Sequence, residues 1–162
     1  MTLTATDLAQ AFIFSDLPEA ALTKLATRIE ESALAPGAVV FREGDAGSDL
    51  FVVLDGEVEV GKKSRSGRET RIAILGPGDS FGEMSMIESA SRSATVRTLG
   101  PTRLARVSIA LIEEMAAESP TAYALLLRAV ARNLARRLRT TDGVLADIAA
   151  NVYAHYPGTG TR

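Results

Sequence analysis

Hydrophobic and polar positions change their period twice along the 162 residues, which divides the sequence into three parts. Residues 1–32 carry apolar side chains at helical spacing and predict N-terminal helices. Residues 33–108 consist of short β-branched runs separated by turns rich in Gly, Pro and Asp, and they predict strands. Residues 109–155 return to a helical period, and residues 156–162 predict a loose tail. We therefore expect a single domain over residues 1–155.

The short runs in the middle part predict the fold class, which is mainly β with flanking helices. Many short strands with close turns favour an antiparallel jelly-roll barrel, here of eight strands, followed by a long C-terminal helix. The clearest strand runs are AVVF, LFVVL, VEVGK, TRIAIL, ATVRT and TRLARVS. Between Asp79 and Thr98 the strand pattern is interrupted by a segment that predicts a short helix inside the barrel.

The third part predicts a short helix over residues 109–118 and a long helix that begins at Pro120. Apolar positions in the long helix alternate steps of four and three, typical of a coiled-coil seam that pairs in parallel with a second copy. The alternative is a helix packed only on its own barrel. The seam is Leu127, Ala131, Leu134, Leu138, Thr141, Leu145, Ile148 and Val152.

Outside that seam, Arg128, Arg132 and Arg136 form a row at helical spacing. Such a row is typical of a solvated helix face. Acidic partners within the chain and an anionic partner surface are the alternatives, and the sequence does not choose between them.

Composition and charge narrow the function. The net charge of −2 gives no general attraction to nucleic acid or to a membrane surface. The chain has no cysteine and one histidine, His155, which excludes disulfides and thiolate catalysis and leaves a cupin-type metalloenzyme without its ligands. No run approaches the ~20 apolar residues of a membrane span, and no signal peptide is recognisable. We expect a cytoplasmic protein that is not an enzyme and carries no metal or cofactor.

The segment GDSFGEMSMIESASRSATV concentrates the candidate chemistry. Gly82 lets the backbone approach a ligand closely, and the residues after it can open a helical turn with free N–H groups. Glu83 can accept hydrogen bonds from a pair of hydroxyls, and Arg92 offers a guanidinium fork that suits a phosphate. Ser93 and Thr95 add further donors. The set suits a ligand that is half sugar and half phosphodiester, although Glu83 and Arg92 could also be an ordinary ion pair.

Phe81-Gly82-Glu83-Met84-Ser85-Met86-Ile87, followed after four residues by Arg92-Ser93-Ala94-Thr95-Val96, resembles the phosphate-binding cassette of the cyclic-nucleotide-binding domain family. That family includes the regulatory subunits of cyclic-AMP-dependent kinase and bacterial catabolite-activator-type regulators. The stretch PGAVVFREGDAGSDLFVVLDGEVEV resembles the family's first strands, and LGPGD resembles its turn before the cassette. The resemblance covers roughly residues 15–142.

The resemblance implies a role for each matching residue. Glu83 would bind the ribose 2′-hydroxyl, Arg92 an exocyclic phosphate oxygen, Gly82 and Met84 would make backbone contacts, and Ser93 would place a hydroxyl near the phosphate. The remaining implied ligand-binding residues are Ser85 and Ala94 in the cassette and Ile72, Ala73 and Leu75 on the preceding strand.

LARRLRTTDGVL resembles the central helix of the catabolite activators, which implies that this part of the long helix reaches the ligand. Arg137 would approach the phosphate end, and Thr141 and Asp142 the base edge. Thr141 is also the polar member of the seam, so setting the register of a dimer is an equal alternative. The purine stays open. The resemblance favours cyclic AMP, with cyclic GMP as the alternative.

The sequence thus predicts a stand-alone cyclic-nucleotide sensor that signals to an unknown protein effector through a ligand-induced change of its C-terminal helix. A homodimer through that helix is expected. Direct DNA binding is not expected, because the sequence ends within about 20 residues of Thr141 without a winged helix-turn-helix. The link 88–91 lacks the Gly and Pro that many family members place before the arginine. This favours the alternative of an interaction or dimerisation module with a degenerate cassette.

Overall fold

The computed structural model describes residues 3–155, with side chains up to Val152. The predicted loose tail, residues 156–162, lies outside the described residues. The helices are α1 (Ala5–Ala9), α2 (Glu19–Ala26), α3 (Glu83–Glu88), α4 (Ile109–Glu118) and α5 (Pro120–His155), with a 3-10 turn at Phe12–Phe14. The strands are β1 (Glu30–Leu34), β2 (Val39–Phe41), β3 (Leu50–Asp55), β4 (Val58–Lys63), β5 (Glu69–Leu75), β6 (Ser80–Phe81), β7 (Thr95–Thr98) and β8 (Thr102–Val107).

The N-terminal helices end earlier than the sequence predicts. α1 begins with a capping box, in which the Thr4 hydroxyl accepts from the Asp7 amide at 3.2 Å and Asp7 accepts from the Thr4 amide at 2.9 Å. Residues 30–32, predicted as helix, belong instead to strand β1. β1 pairs antiparallel with β8 along its whole length, from Glu30 opposite Arg106 onwards. This long-range pairing overrides the local helical period.

The eight predicted strands form two four-stranded antiparallel sheets, in the orders β1-β8-β3-β6 and β2-β7-β4-β5. The predicted barrel is corrected in one respect: across the described strands, hydrogen-bonded pairing stays within each sheet and does not close a ring. The arrangement is that of a jelly roll, in which the two sheets pack face to face. Val58 and Val96 of one sheet and Val53 and Leu104 of the other share one buried cluster.

A second buried cluster joins the helices to the outer side of the β3/β8 sheet. Phe14, Leu50 and Leu126 are fully buried in it, together with residues of α1, α2 and α4. Burying such a side chain contributes about 1.5–3 kcal/mol. The first half of α5 is thus part of the core, which fixes the position of that half relative to the sheets.

Helix α5 runs for 36 residues without a break at Gly143 and is about 54 Å long at the usual rise per residue. Its buried face consists of Ala122, Leu126, Ala129, Val130 and Asn133, which lies next to the predicted seam. From Leu138 to Val152 every described side chain is exposed. None of the helices in the described range is both long enough and apolar enough to cross a lipid bilayer.

Candidate functional site

The cassette begins where β6 ends. Gly82 adopts a φ of +86° and precedes the first residue of α3, and the chain then returns through residues 89–94 to β7. A Cβ at position 82 would lie 2.7 Å from the Asp49 carbonyl oxygen and 2.8 Å from Arg92 Nη1. Both the positive φ and this close approach require glycine. Gly82 therefore allows the cassette backbone to pack directly against the arginine.

Arg92 is only 5% exposed, which is unusual for a charged side chain. Its Nη1 donates to the Asp49 carbonyl at 2.9 Å and to the Gly82 carbonyl at 3.2 Å. The guanidinium lies 4.3 Å from the centroid of the Phe41 ring, a cation–π contact. Burial lowers the pKa of Arg92, although a guanidinium stays charged. The Nε atom is buried and has no hydrogen-bond partner.

Glu83, the first residue of α3, is 1% exposed. Its Oε1 accepts a hydrogen bond from Arg137 Nη1 of α5 at 2.6 Å. Its Oε2 is buried and has no hydrogen-bond partner. Burial raises the pKa of Glu83, and the positive charge of Arg137 offsets part of that rise. Cassette and C-terminal helix are thus joined by a charge pair across 54 positions of sequence.

Glu83 and Arg92 line one small cavity of about 30 Å³ between the two sheets and α5. This volume corresponds to the share of one water molecule in the liquid. The other lining residues are Phe41, Val60, Phe81, Gly82, Met84, Ser85, Ser93, Ala94, Val96 and Arg137. The cavity therefore collects the predicted ligand-binding residues of the cassette and Arg137. Thr95 is the exception, because its hydroxyl accepts from the Glu43 amide at 3.1 Å and does not line the cavity.

Two hydroxyls of the cassette make local contacts. Ser93 Oγ donates to the Met84 sulfur at 3.5 Å, and Ser85 Oγ donates to the Ser91 carbonyl at 3.4 Å. Ser89 ends α3 with a φ of +52°, and it is the one non-glycine residue in the described chain with a positive φ. Left-handed backbone at serine is uncommon. The link without Gly or Pro therefore places a serine in a backbone conformation that glycine adopts more easily.

The structure does not bring the other predicted residues into the cavity. Ile72 is 58% exposed on β5, the edge strand of its sheet, whereas Leu75 is buried in the core between the sheets. Ala73 is half-buried beside that core. The Thr141 hydroxyl donates to the Arg137 carbonyl at 3.0 Å, and Asp142 is exposed. Both lie one turn beyond Arg137, on the part of α5 that projects from the domain.

Sequence reasoning missed the aromatic support of Arg92. Phe41, Phe51 and Phe81 form a cluster with ring centroids 5.3–5.9 Å apart. Each belongs to a different strand, and Phe41 reaches Arg92 because β2 pairs with β7, with Phe41 opposite Val96. The alternation of apolar residues in these strands marks inward positions, but it does not tell which ring lies under the arginine.

Two buried, opposite charges with spare hydrogen-bonding atoms suit a ligand that offers both an anion and hydroxyl donors. Buried polar atoms are nearly always hydrogen-bonded, so the unpartnered Glu83 Oε2 and Arg92 Nε call for a specific explanation. Within residues 3–152, no three His, Cys, Asp or Glu side chains lie together so that they could hold a metal ion.

Comparison with known proteins agrees with this geometry. The model of the family described as "cyclic nucleotide-binding domain" matches residues 31–119, which include the whole cassette. The chain therefore belongs to the cyclic nucleotide-binding domain family, as its sequence predicts.

The chain is 32% identical over 151 residues to the CRP-like cAMP-activated global transcriptional regulator of Mycobacterium tuberculosis (strain CDC 1551 / Oshkosh), covering 93% of this chain and 64% of the relative. It thus spans less than two thirds of that relative. A cyclic nucleotide-binding domain from Methylobacillus flagellatus superimposes with a TM-score of 0.82 at 25% identity, covering 91% of this chain and 87% of the other. The N-terminal domain of a transcriptional regulator from Streptomyces coelicolor gives 0.70 at 33% identity, covering 85% and 95%.

Proposed function

We propose that this chain binds a cyclic purine nucleotide in the cassette, with cyclic AMP as the ligand. Glu83 accepts from the ribose 2′-hydroxyl and Arg92 donates to the exocyclic phosphate. One observation carries the proposal: two oppositely charged, buried side chains line the same cavity, and each retains a buried polar atom without a partner. The ribose and the phosphate of one nucleotide would satisfy both atoms. The name of the Mycobacterium tuberculosis relative, a cAMP-activated regulator, favours cyclic AMP.

Binding requires the cavity to widen, because about 30 Å³ holds no nucleotide. Arg137 is the wall that can move, since it is half-buried and belongs to α5 rather than to the sheets. In the proposed mechanism the ribose hydroxyl replaces Arg137 as the hydrogen-bond donor to Glu83. Arg137 is then free to contact solvent or the phosphate. The nucleotide thereby selects a different position of the part of α5 beyond Asn133, which is a population shift.

The projecting half of α5 is the element that this shift would affect. Leu138 and Leu145 are 61% and 62% exposed, and Ile148 and Val152 continue the same stripe. A stripe with steps of three and four is the seam of a parallel coiled coil, so we assign its partner as a second copy of the chain. Because Arg137 and the seam share one helix, nucleotide binding and helix pairing would be coupled.

A protein effector would then recognise the altered surface. The proposal contains no catalytic step, because Glu83 and Arg92 bind the ligand and act on no bond of it. The absence of cysteine agrees with the reducing conditions of a cytoplasm.

Isothermal titration with cyclic AMP and cyclic GMP tests the proposal. Arg92→Ala should weaken binding more than tenfold, because a hydrogen bond to a charged group contributes about 1.5–3 kcal/mol. Arg97→Ala is the matched control. Arg97 is a half-buried arginine on β7, where it pairs with Glu59 and Glu69 outside the cavity. This control should bind as the unchanged chain does.

Three outcomes would change the picture. No binding heat with either nucleotide, for a folded sample, contradicts the nucleotide-binding function. If that sample sediments as a dimer, the interaction module with a degenerate cassette becomes the better interpretation, and the left-handed Ser89 and the small cavity favour it. Tighter binding of cyclic GMP would replace the ligand but keep the site.

A further inference from the structure

Helix α5 carries a second polar feature on a different face from Arg137. Arg128, Arg132, Arg136 and Arg139 follow one another at steps of four, four and three, so they share one side of the helix. Arg139 extends the row that the sequence indicates by another turn. From Arg128 to Arg139 the row covers about 16 Å of the helix axis. It lies outside the seam positions, so helix pairing leaves it accessible.

One carboxylate faces this row. Asp16 Oδ2, in the segment before α2, accepts from Arg128 Nη2 at 3.0 Å and from Arg132 Nη2 at 2.7 Å. These contacts lower the pKa of Asp16, with the Arg128 hydrogen bond as the largest cause. In the described chain no carboxylate forms an ion pair with Arg136 or Arg139. Four arginines against one carboxylate leave an excess of three positive charges.

An aromatic ring supports the row from below. The Arg136 guanidinium lies 3.9 Å from the centroid of the Phe12 ring, and that of Arg132 lies 5.6 Å from it. Phe12, Arg132, Ala135, Arg136 and Arg139 line a cleft of about 240 Å³. Stacking on an aromatic ring restricts a guanidinium and orders it for further hydrogen bonds. The row is therefore an ordered surface with unused donors.

We propose that this arginine row is a docking surface for an acidic segment of a partner protein. Asp16 already shows that two of these arginines bind one carboxylate together, and the guanidinium fork matches that group. Two further arginines and the cleft beside Phe12 extend the same chemistry along the helix. A peptide with several Asp or Glu residues complements a stripe of this length.

Nucleic acid fits this surface less well than an acidic peptide does. Affinity for nucleic acid depends on phosphate contacts over a wide, positively charged surface. Here the whole chain has a net charge of −2, and the row covers only about 16 Å of the helix axis. The proposal does not rest on nucleotide binding in the cassette, because none of its residues lines that cavity.

Fluorescence anisotropy with a fluorescein-labelled peptide of ten glutamates tests the proposal on the full chain at low ionic strength. The double variant Arg136→Gln, Arg139→Gln should bind about threefold more weakly or worse, because each exposed charge contact contributes modestly. The control Arg65→Gln, Arg68→Gln removes the same charge from the exposed loop between β4 and β5 and should bind as the unchanged chain does. Equal losses in both pairs would show general charge attraction and overturn the proposal.

A gain of affinity tests the same surface in the opposite direction. Asp16→Asn removes the internal carboxylate from Arg128 and Arg132 and should tighten peptide binding about twofold or more. Glu19→Gln changes the overall charge equally, at an exposed position nearby, and is its control. Asp16→Asn that binds no tighter than this control contradicts the proposal. A labelled thymidine decamer that binds this surface more tightly than the glutamate peptide does would also contradict the proposal.

Discussion

The cassette and the projecting half of α5 depart from ordinary burial in opposite directions. The cassette encloses two charged side chains, Glu83 and Arg92, with almost no exposure to solvent. The helix beyond Arg137 holds Leu138, Leu145 and other apolar side chains more than half exposed. Globular chains usually bury hydrocarbon and expose charge. Each region therefore carries a free-energy cost, of buried charge in the cassette and of exposed apolar surface in the helix, that its own residues do not remove.

The difference teaches what each region lacks. Backbone carbonyls and a phenyl ring partly compensate the buried charge of Arg92, and Arg137 partly compensates that of Glu83. The atoms that still lack a partner are polar. A polar ligand of small size would satisfy them. The exposed stripe lacks an apolar partner that covers it over several helical turns, and a second helix would be such a partner. The helix that joins the two regions contacts Glu83 through Arg137.

The largest expected effect concerns the packing of the cassette backbone. Gly82→Ala should lower the free energy of unfolding by about 2–5 kcal/mol, because a left-handed backbone costs about 1–2 kcal/mol and overpacking about 1–3 kcal/mol more. Nucleotide affinity should fall with it, since the new Cβ displaces Arg92. Urea unfolding and nucleotide titration measure the two effects.

Gly67→Ala separates strain from collision. Gly67 has a φ of +82°, close to the +86° of Gly82, but a Cβ there meets no atom within 4 Å. The Gly67→Ala variant should lower the free energy of unfolding by only the conformational cost of about 1–2 kcal/mol, and its nucleotide affinity should stay unchanged. Equal behaviour of the two variants would mean that the packing of Gly82 against Arg92 has no part in the site.

The next effect concerns the exposed stripe. Leu145→Glu should weaken self-association more than a hundredfold, because a dimer loses two buried leucines at about 1.5 kcal/mol or more each. Ala146→Glu adds the same charge at the adjacent position outside the seam and should leave association unchanged. Sedimentation velocity over a range of concentrations measures both. A chain that is monomeric throughout, or two variants that behave alike, would show that the stripe does not pair.

Local pattern predicted much of this molecule. The strand runs, the helix after Gly82, the start of α5 at Pro120 and the set of cassette residues depend on short stretches of sequence, and the structure contains them all. The family itself was correctly predicted from the cassette motif.

What the sequence did not indicate depends on contacts between distant segments. β1 forms because β8 provides its partner. The two sheets form no ring because each strand pairs only with strands of its own sheet. Phe41 lies under Arg92 through the pairing of β2 with β7. Packing of α5 on the core places Arg137 on Glu83. The approach of Arg137 to the phosphate end of a ligand stays a prediction. Periodicity along one element carries no information about these distances.

The smallest expected effect on stability concerns Glu83, because Arg137 offsets part of the cost of its burial. The folded state raises the pKa of this carboxyl, so it binds the proton more tightly than the unfolded chain does, whose value is about 4.3. Wild-type stability should therefore fall as pH rises from that value through the raised pKa. Glu83→Gln lacks the charge, so its stability relative to wild type should increase over the same range and then level off.

Glu43→Gln is the control with the opposite sign. Hydrogen bonding to the Lys63 amide lowers the pKa of Glu43, so its ionised form contributes stability above about pH 4.3 that is lost as pH falls. This variant should be less stable than wild type at neutral pH, with a difference that shrinks in acid. Thermal unfolding from pH 4 to pH 8 measures both. If Glu83→Gln followed the course of Glu43→Gln, the buried carboxylate would be a stabilising ion pair with Arg137. The cassette would then have no strain for a nucleotide to relieve.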